Sequence, residues 1–214
     1  RLVGRVAFPL FAFMIAEGAA HTRDRRRYAL RLLLLAVISE IPFDLVAGGT
    51  WLFPADQNTV FTLLLGLLAV WAGDLICGIG SGVSYGNREK TGDGGRKAVG
   101  QRRFPLEYER YIRVLAAVPF GLAAYCLKTD YGFMGVLLIV ILYTLRTEPQ
   151  LRTAVCAVFL FCMYMDFYGA AACVAIFLIN RYNGEKGGGN GRIFYLFYPL
   201  HLLVIRGIKM AVGL

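Results

Sequence analysis

The chain has 214 residues, of which 57% are hydrophobic and only 17% are charged. This composition excludes an ordinary soluble domain and is typical of multispanning membrane proteins. The net charge of +9 comes from cations in a few loops between apolar runs, so we assign it to membrane topology and lipid contact and expect no nucleic-acid binding. The five cysteines are scattered without a C-x-x-C motif, which predicts buried free thiols and no metal site.

Apolar segments recur along the whole chain. They predict helices over roughly 3–20, 28–48, 59–79, 111–127, 131–146, 151–166, 168–181 and 193–212. The predicted fold is an all-α, polytopic transmembrane helical bundle of about eight spans, formed by a single membrane-embedded domain over 1–214. Within it, residues 78–110 are rich in glycine and charge and predict a flexible cytoplasmic loop. Basic loops alternate with loops poor in cations, which places the turn at Arg23–Arg27 in the cytoplasm.

The first two apolar runs flank that basic turn. Glu17 and His21 are four residues apart and therefore share a helix face beside it. A polar pair at the membrane boundary explains them; alternatively, together with the basic side chains from Arg23 to Arg27, Arg26 among them, they form a patch that attracts the phosphates of coenzyme A. Arg5, one turn before Pro9, either snorkels to the interface or anchors an anionic group in a cavity.

Two carboxylates lie near the end of the second run. Glu40 and Asp44 are four residues apart, and Pro42 between them is expected to bend the chain and end the regular helix. In a partly dry site the two groups could separate their pKa values and act as acid and base. The alternative is a helix end exposed to the outer aqueous phase. Asn58, at the start of the third run, is explained without function as a helix cap.

His201 lies in the apolar sequence IFYLFYPLHLLVI of the last predicted span. Burial tends to keep an imidazole neutral, which suits a general base. A hydrogen-bonded structural histidine is the alternative.

Several motifs together resemble the TraX family, which is known for N-terminal acetylation of conjugative F-type pilin. They are RLVGRVAFPLFAFMIAEGAAHTRDRRRY, SEIPFDL, QNTVFTLLLG and FYPLHLLVI. The resemblance implies a multi-pass acyltransferase of the bacterial inner membrane that uses cytoplasmic acetyl-CoA and no metal. Its acceptor would be a pilin-like protein N-terminus or an envelope glycan. Members of the family typically carry an earlier helix with an Asp-His pair, so we expect that one upstream helix is lacking here.

The resemblance also implies site residues. We predict catalytic roles for His201, Glu40 and Asp44, and cofactor-binding roles for Arg5, Glu17, His21, Arg23, Arg26 and Asn58. Two other readings compete with the enzyme. One is a small transporter or channel that uses the same intramembrane charges, and the other is a non-catalytic assembly partner in an envelope complex.

Overall fold

The computed structural model describes residues 2–51, 56–78, 104–164, 167–184 and 191–212. These residues form the helices α1 (Leu2–His21), α2 (Arg25–Ala47), α3 (Thr59–Ile76), α4 (Leu106–Cys126), α5 (Gly132–Thr144), α6 (Pro149–Tyr164), α7 (Phe167–Asn180) and α8 (Gly191–Val212). No β-strand occurs in these ranges, only an isolated bridge between Gln57 and Thr129. The all-α prediction is confirmed, and each predicted helix corresponds to an observed one.

Helix α3 occupies the centre of the bundle and packs against α1, α2, α4 and α5. Its core side chains include Leu67 and Val70, which are fully buried. Gly66 sets its distance from α5, because a Cβ atom there would lie 2.3 Å from Cδ1 of Ile139. The remaining helices surround this core: α7 packs on α1 and α6, and α8 packs on α2.

Successive helices run in opposite directions, so their ends fall into two layers. At one end, Arg25 at the start of α2 contacts Asp74 near the end of α3. At the other end, Gln57 before α3 donates its backbone N–H to the carbonyl oxygen of Lys128 after α4. We call the first the arginine end, because it holds the turn at Arg23–Arg27, and the second the Asn58 end.

Two sequence expectations about helix limits were wrong. Pro42 does not end α2, which continues to Ala47 with Pro42 buried inside it. A proline removes only one hydrogen bond of a helix, and Lys209 of α8 donates to the carbonyl oxygen of Val46 at 3.0 Å, which holds the last turn of α2 in place. Helix α4 begins at Leu106, inside the segment predicted as a loop, because Glu109 is buried against the bundle. Residues 79–103 of that predicted loop lie outside the described residues.

One described helix, α3, is both long enough and apolar enough to cross a membrane by itself. Helices α5 and α6 are apolar but shorter. Large aliphatic side chains are nevertheless exposed along one side of α2, at Leu30, Leu33, Leu34, Val37, Ile38 and Ile41. The predicted bundle of about eight spans therefore stays a prediction, although the described helices agree with it in number and order.

Candidate functional site

Asn58 connects two helices, α2 and α3, at the Asn58 end. It caps α3, because its side-chain oxygen accepts a hydrogen bond from the backbone N–H of Val60 at 2.9 Å. Its side-chain nitrogen donates to the carbonyl oxygen of Ala36 at 2.8 Å and to the carboxylate of Glu40. The side chain is completely buried. The structure thus assigns Asn58 the capping role. Because Asn58 is buried, it could influence the cofactor only indirectly, by holding Glu40.

The two carboxylates of α2 lie along one face of the continuous helix. One oxygen of Glu40 is held by Asn58, whereas Oε1 is buried without a hydrogen-bond partner in the described part of the chain. Asp44 lies one turn further along and is 2% exposed. The alternative of a solvent-exposed helix end does not hold for this face. A buried carboxylate oxygen that lacks a donor is free to accept a proton or a ligand N–H.

Thr59, the first residue of α3, joins this group to the loop before α5. Its hydroxyl donates to Oδ2 of Asp130 at 2.6 Å. Part of Asp130 is exposed, but burial of the rest raises its pKa, against the opposing effects of the Thr59 hydroxyl and the Arg5 guanidinium. Arg5 itself lies over the ring of Tyr164, 4.7 Å from its centre. We call Arg5, Glu40, Asn58, Thr59 and Asp130 the Asn58 cluster.

The sequence analysis assigned no chemical role to Thr59 or Asp130, each of which lies at or just before the start of a helix. The available signal was topological: alternating helices place the α2–α3 and α4–α5 connections at the same end of the bundle. Their polar residues could therefore have been expected to meet.

His201 packs against Tyr198, which lines the cavity together with Thr59 of this cluster, and is less buried than predicted. The residue is partly exposed, and Nδ1 is 3.2 Å from the carbonyl oxygen of Phe197. Its ring also meets the edge of Tyr198, with centroids 5.2 Å apart. If Nδ1 donates to that carbonyl, Nε2 of the neutral ring keeps a lone pair that can accept a proton.

The other predicted cofactor residues lie at the arginine end. Nδ1 of His21 is 2.9 Å from the carbonyl oxygen of Glu17 and 3.6 Å from its carboxylate, so the two share a face as predicted. Arg23 and Arg26 are exposed in the adjoining turn. The structure therefore divides the six predicted cofactor residues, with Arg5 and Asn58 at the opposite end from these four.

Arg25 does not face solvent with its neighbours in the basic turn. It donates to the fully buried carboxylate of Asp74 at 2.9 Å. Asp74 also accepts a hydrogen bond from the hydroxyl of Tyr143 at 2.8 Å and lies 3.4 Å from Arg113. We call these four residues the Asp74 network; they tie α2, α3, α4 and α5 together. The sequence analysis missed this network, although an aspartate near the end of the long apolar helix α3 was a usable signal.

A cavity of about 260 Å³ lies between α1, α2, α3 and α8. Tyr28 lines it towards the arginine end, and a Cβ atom at Gly18 would lie 2.5 Å from the Tyr28 hydroxyl. Thr59 and Tyr198 line it towards the Asn58 end. The space exists because α1 and α2, although joined by a short turn, do not pack along their lengths. From Tyr28 to Glu40 the rise along α2 is about 18 Å, at about 1.5 Å per residue.

The other walls of this cavity are apolar. They comprise Phe11, Met14, Ile15, Leu32, Leu35, Val60 and Leu63.

The described residues contain no group of three or more His, Cys, Asp or Glu side chains that could hold a metal ion. Cys77, Cys126, Cys156 and Cys162 are free thiols.

Comparison with known proteins identifies the family. The family model described as TraX protein matches residues 1–76 and 106–209. A curated protein from Dichelobacter nodosus, named "Probable fimbrial assembly protein FimC, serogroup H1", is 26% identical over 234 residues, which cover 98% of this chain and 82% of that protein. No solved structure matches the chain. Since the family model covers both long parts of the chain on either side of 77–105, this protein belongs to the TraX family.

Proposed function

We propose that this protein is an integral membrane acetyltransferase that acts in pilus or fimbrial assembly. It would pass an acetyl group from cytoplasmic acetyl-CoA to an acceptor at the Asn58 end, either a pilin-like protein N-terminus or an envelope glycan. The observation that carries the proposal is the cavity between α1 and α2, which extends from Tyr28, on the side of the arginine end, to Thr59 of the Asn58 cluster. The name of the Dichelobacter nodosus relative supports the assembly context.

The cofactor would enter from the arginine end. Arg23 and Arg26 are exposed there and can bind phosphates of coenzyme A through charge-assisted hydrogen bonds. The pantetheine arm would extend into the cavity, where Tyr28, Thr59 and Tyr198 are the lining residues with a polar group among otherwise apolar walls. An apolar pocket with a few placed polar groups is the usual form of a small-molecule site.

The acceptor would meet the acetyl group at the Asn58 end. Oε1 of Glu40 and Nε2 of His201 are suited to take a proton from the acceptor, and Asp44 lies one turn from Glu40. The carboxylates of Glu40 and Asp130 would also favour an acceptor that approaches as a cation, as an amine does before it is deprotonated.

The exposed surfaces support a membrane location with several spans. Large apolar side chains are exposed on α2, and others are exposed on α4 and α8, for example Leu115, Leu122, Leu200 and Val204. Patches of this extent are costly in water but suit lipid contact. Cations concentrate at the arginine end, for example Arg23, Arg26, Arg110 and Arg181, as expected for a cytoplasmic face.

Binding of acetyl-CoA to the purified protein in lipid nanodiscs tests the proposal. A variant with both Arg23→Ala and Arg26→Ala should bind acetyl-CoA at least about tenfold more weakly, because one charge-assisted hydrogen bond contributes about 1.5–3 kcal/mol. Binding of a phosphate-free acetyl thioester should be unchanged. The double variant Arg110→Ala, Arg181→Ala removes the same charge from the same end and should bind acetyl-CoA normally.

Two outcomes would contradict the proposal. If the native protein shows no saturable binding of acetyl-CoA, acetyl-CoA is not its substrate and the proposal is wrong. Acetyl-CoA-independent solute flux through reconstituted protein, abolished by Glu40→Gln, would favour the transporter reading.

A further inference from the structure

Thr59 lies at the boundary between the cavity and the Asn58 cluster. One side of the residue lines the cavity, while its hydroxyl donates to Asp130 in the partly exposed loop before α5. The residue therefore borders both the cavity, through which a thioester would arrive, and the Asn58 end, from which an acceptor would arrive.

The surroundings of Thr59 have the features of an activated hydroxyl. A nucleophilic hydroxyl needs an adjacent base, and Oδ2 of Asp130 is 2.6 Å away. The raised pKa of Asp130 makes this carboxylate a stronger base than an ordinary aspartate. Thr59 is also the first residue of α3, so the positive end of the helix dipole lies where negative charge would develop.

The position of the hydroxyl is fixed by its neighbours. Asn58 caps α3 and is itself held by Ala36 and Glu40, which prevents the first turn of α3 from shifting. Tyr198 lies against the same end of the cavity. Holding a reactive group in one geometry is a large part of catalysis.

We propose that Thr59 is a covalent nucleophile that carries the acetyl group between the two substrates. This inference rests on the proposed acetyl transfer and specifies its chemistry. In the first step, Oγ1 of Thr59 forms a bond to the thioester carbonyl carbon and the carbon–sulfur bond breaks. The hydroxyl proton passes to Asp130 and from there to the departing thiolate, so that free coenzyme A leaves.

In the second step, an amine or hydroxyl of the acceptor attacks the acetyl ester on Thr59. The new bond to the acceptor forms as the bond to Oγ1 breaks, and the acceptor proton, taken first by His201 or Glu40, returns to Oγ1 by way of Asp130. The hydroxyl is restored and no other reactant is consumed. A two-step transfer allows the cofactor and the acceptor to use opposite sides of the same residue.

Acetyl labelling without an acceptor tests this inference. The purified protein in nanodiscs is incubated with radiolabelled acetyl-CoA and denatured in acid, and the labelled peptide is identified by mass spectrometry. We expect label on Thr59 that hydroxylamine releases, since an ester is cleaved whereas adventitious acetyl-lysine is not. Thr59→Val should reduce the label at least about tenfold, and Thr59→Ser should retain it.

Matched variants separate chemistry from folding. Thr62→Val removes a hydroxyl one turn away that bonds to Thr129 and does not line the cavity, so labelling should stay at the native level. Asp130→Asn should slow labelling about 10²-fold or more and abolish its dependence on pH in the range where Asp130 titrates. Acetyl-CoA binding is measured for every variant and should be unchanged.

The results distinguish this inference from the proposed function. If the native protein binds acetyl-CoA and acetylates envelope material, while Thr59→Val does so at the native rate, the covalent step is wrong and the proposed function stands. Hydroxylamine-released label on a residue other than Thr59 also overturns the inference. If the native protein does not bind acetyl-CoA, both are wrong.

Discussion

Single residues around Asn58 show how a cap can also organise a site. The amide of Asn58 satisfies the first turn of α3 and at the same time fixes one oxygen of Glu40. The second oxygen of Glu40 stays buried without a partner in the described part of the chain. An unpaired buried carboxylate oxygen costs free energy, which is consistent with a group kept for chemistry.

His201 can be tested at the same scale. We expect His201→Gln to lower kcat for acetyl transfer in envelope vesicles by about 10²–10⁴-fold, because general-base catalysis typically contributes that much. Glutamine keeps the approximate size and a hydrogen bond to the carbonyl of Phe197. The other histidine provides the comparison: His21→Gln, at the arginine end, should change KM for acetyl-CoA more than kcat. A native kcat in the His201 variant would leave this residue with a structural role.

Elements are joined at the arginine end by the Asp74 network. Asp74 is fully buried, and it receives hydrogen bonds from α2 and α5 and an ion pair from α4. Its partners lie far away in the chain, so this network fixes how the helices are arranged, not whether each helix forms. Breaking a buried ion pair by removing one partner leaves the other charge uncompensated.

We therefore expect Asp74→Asn to reduce the free energy of unfolding by about 3–5 kcal/mol. Thermal unfolding in detergent, followed by tryptophan fluorescence, measures the effect. Asp24→Asn is the control, because it removes the charge from an exposed ion pair with Arg27 and asparagine also caps helices well. That variant should change stability by less than about 1 kcal/mol. Equal losses in the two variants would contradict the structural role of the network.

The cavity between α1 and α2 leads to a second prediction about the helices. Leu35 lines the cavity, so Leu35→Trp should fill part of it and lower kcat/KM for acetyl-CoA at least about tenfold, by excluding a thioester that needs this space. Leu33→Trp places the same side chain on the exposed face of α2 and should have little effect. Steady-state rates at varied acetyl-CoA give both values. An unaffected Leu35 variant would show that the cofactor takes another route.

The orientation of the whole molecule follows from its two ends. If the bundle spans the membrane with the arginine end in the cytoplasm, single cysteines at the two ends should differ in accessibility. In a cysteine-free background, an impermeant maleimide should label Lys128→Cys in cells with a permeabilised outer membrane and an intact inner one. It should label Thr147→Cys only after the inner membrane is opened. Both positions are exposed in the structure. Labelling of both from the same side would contradict a spanning bundle in this orientation.

The amino-acid sequence by itself determined where the helices lie, because the length and spacing of an apolar run are local properties of the chain. It also determined which residues four apart share a face, as Glu17 and His21 do, since that depends only on helix geometry. Pro42 shows the limit of local reasoning. A proline disfavours a helix on average, but the packing of α8 on α2 was decided by the fold and outweighs that preference.

Only the tertiary structure decided which polar groups meet. Thr59 and Asp130 are 71 residues apart, and Arg25 and Asp74 are 49 residues apart, so no spacing rule connects them. The same holds for the cavity, which depends on α1 and α2 separating after the turn that joins them. Hydrogen bonds and cavities of this kind depend on how distant helices pack, and a single sequence records the local pattern of each helix but not the distances between them.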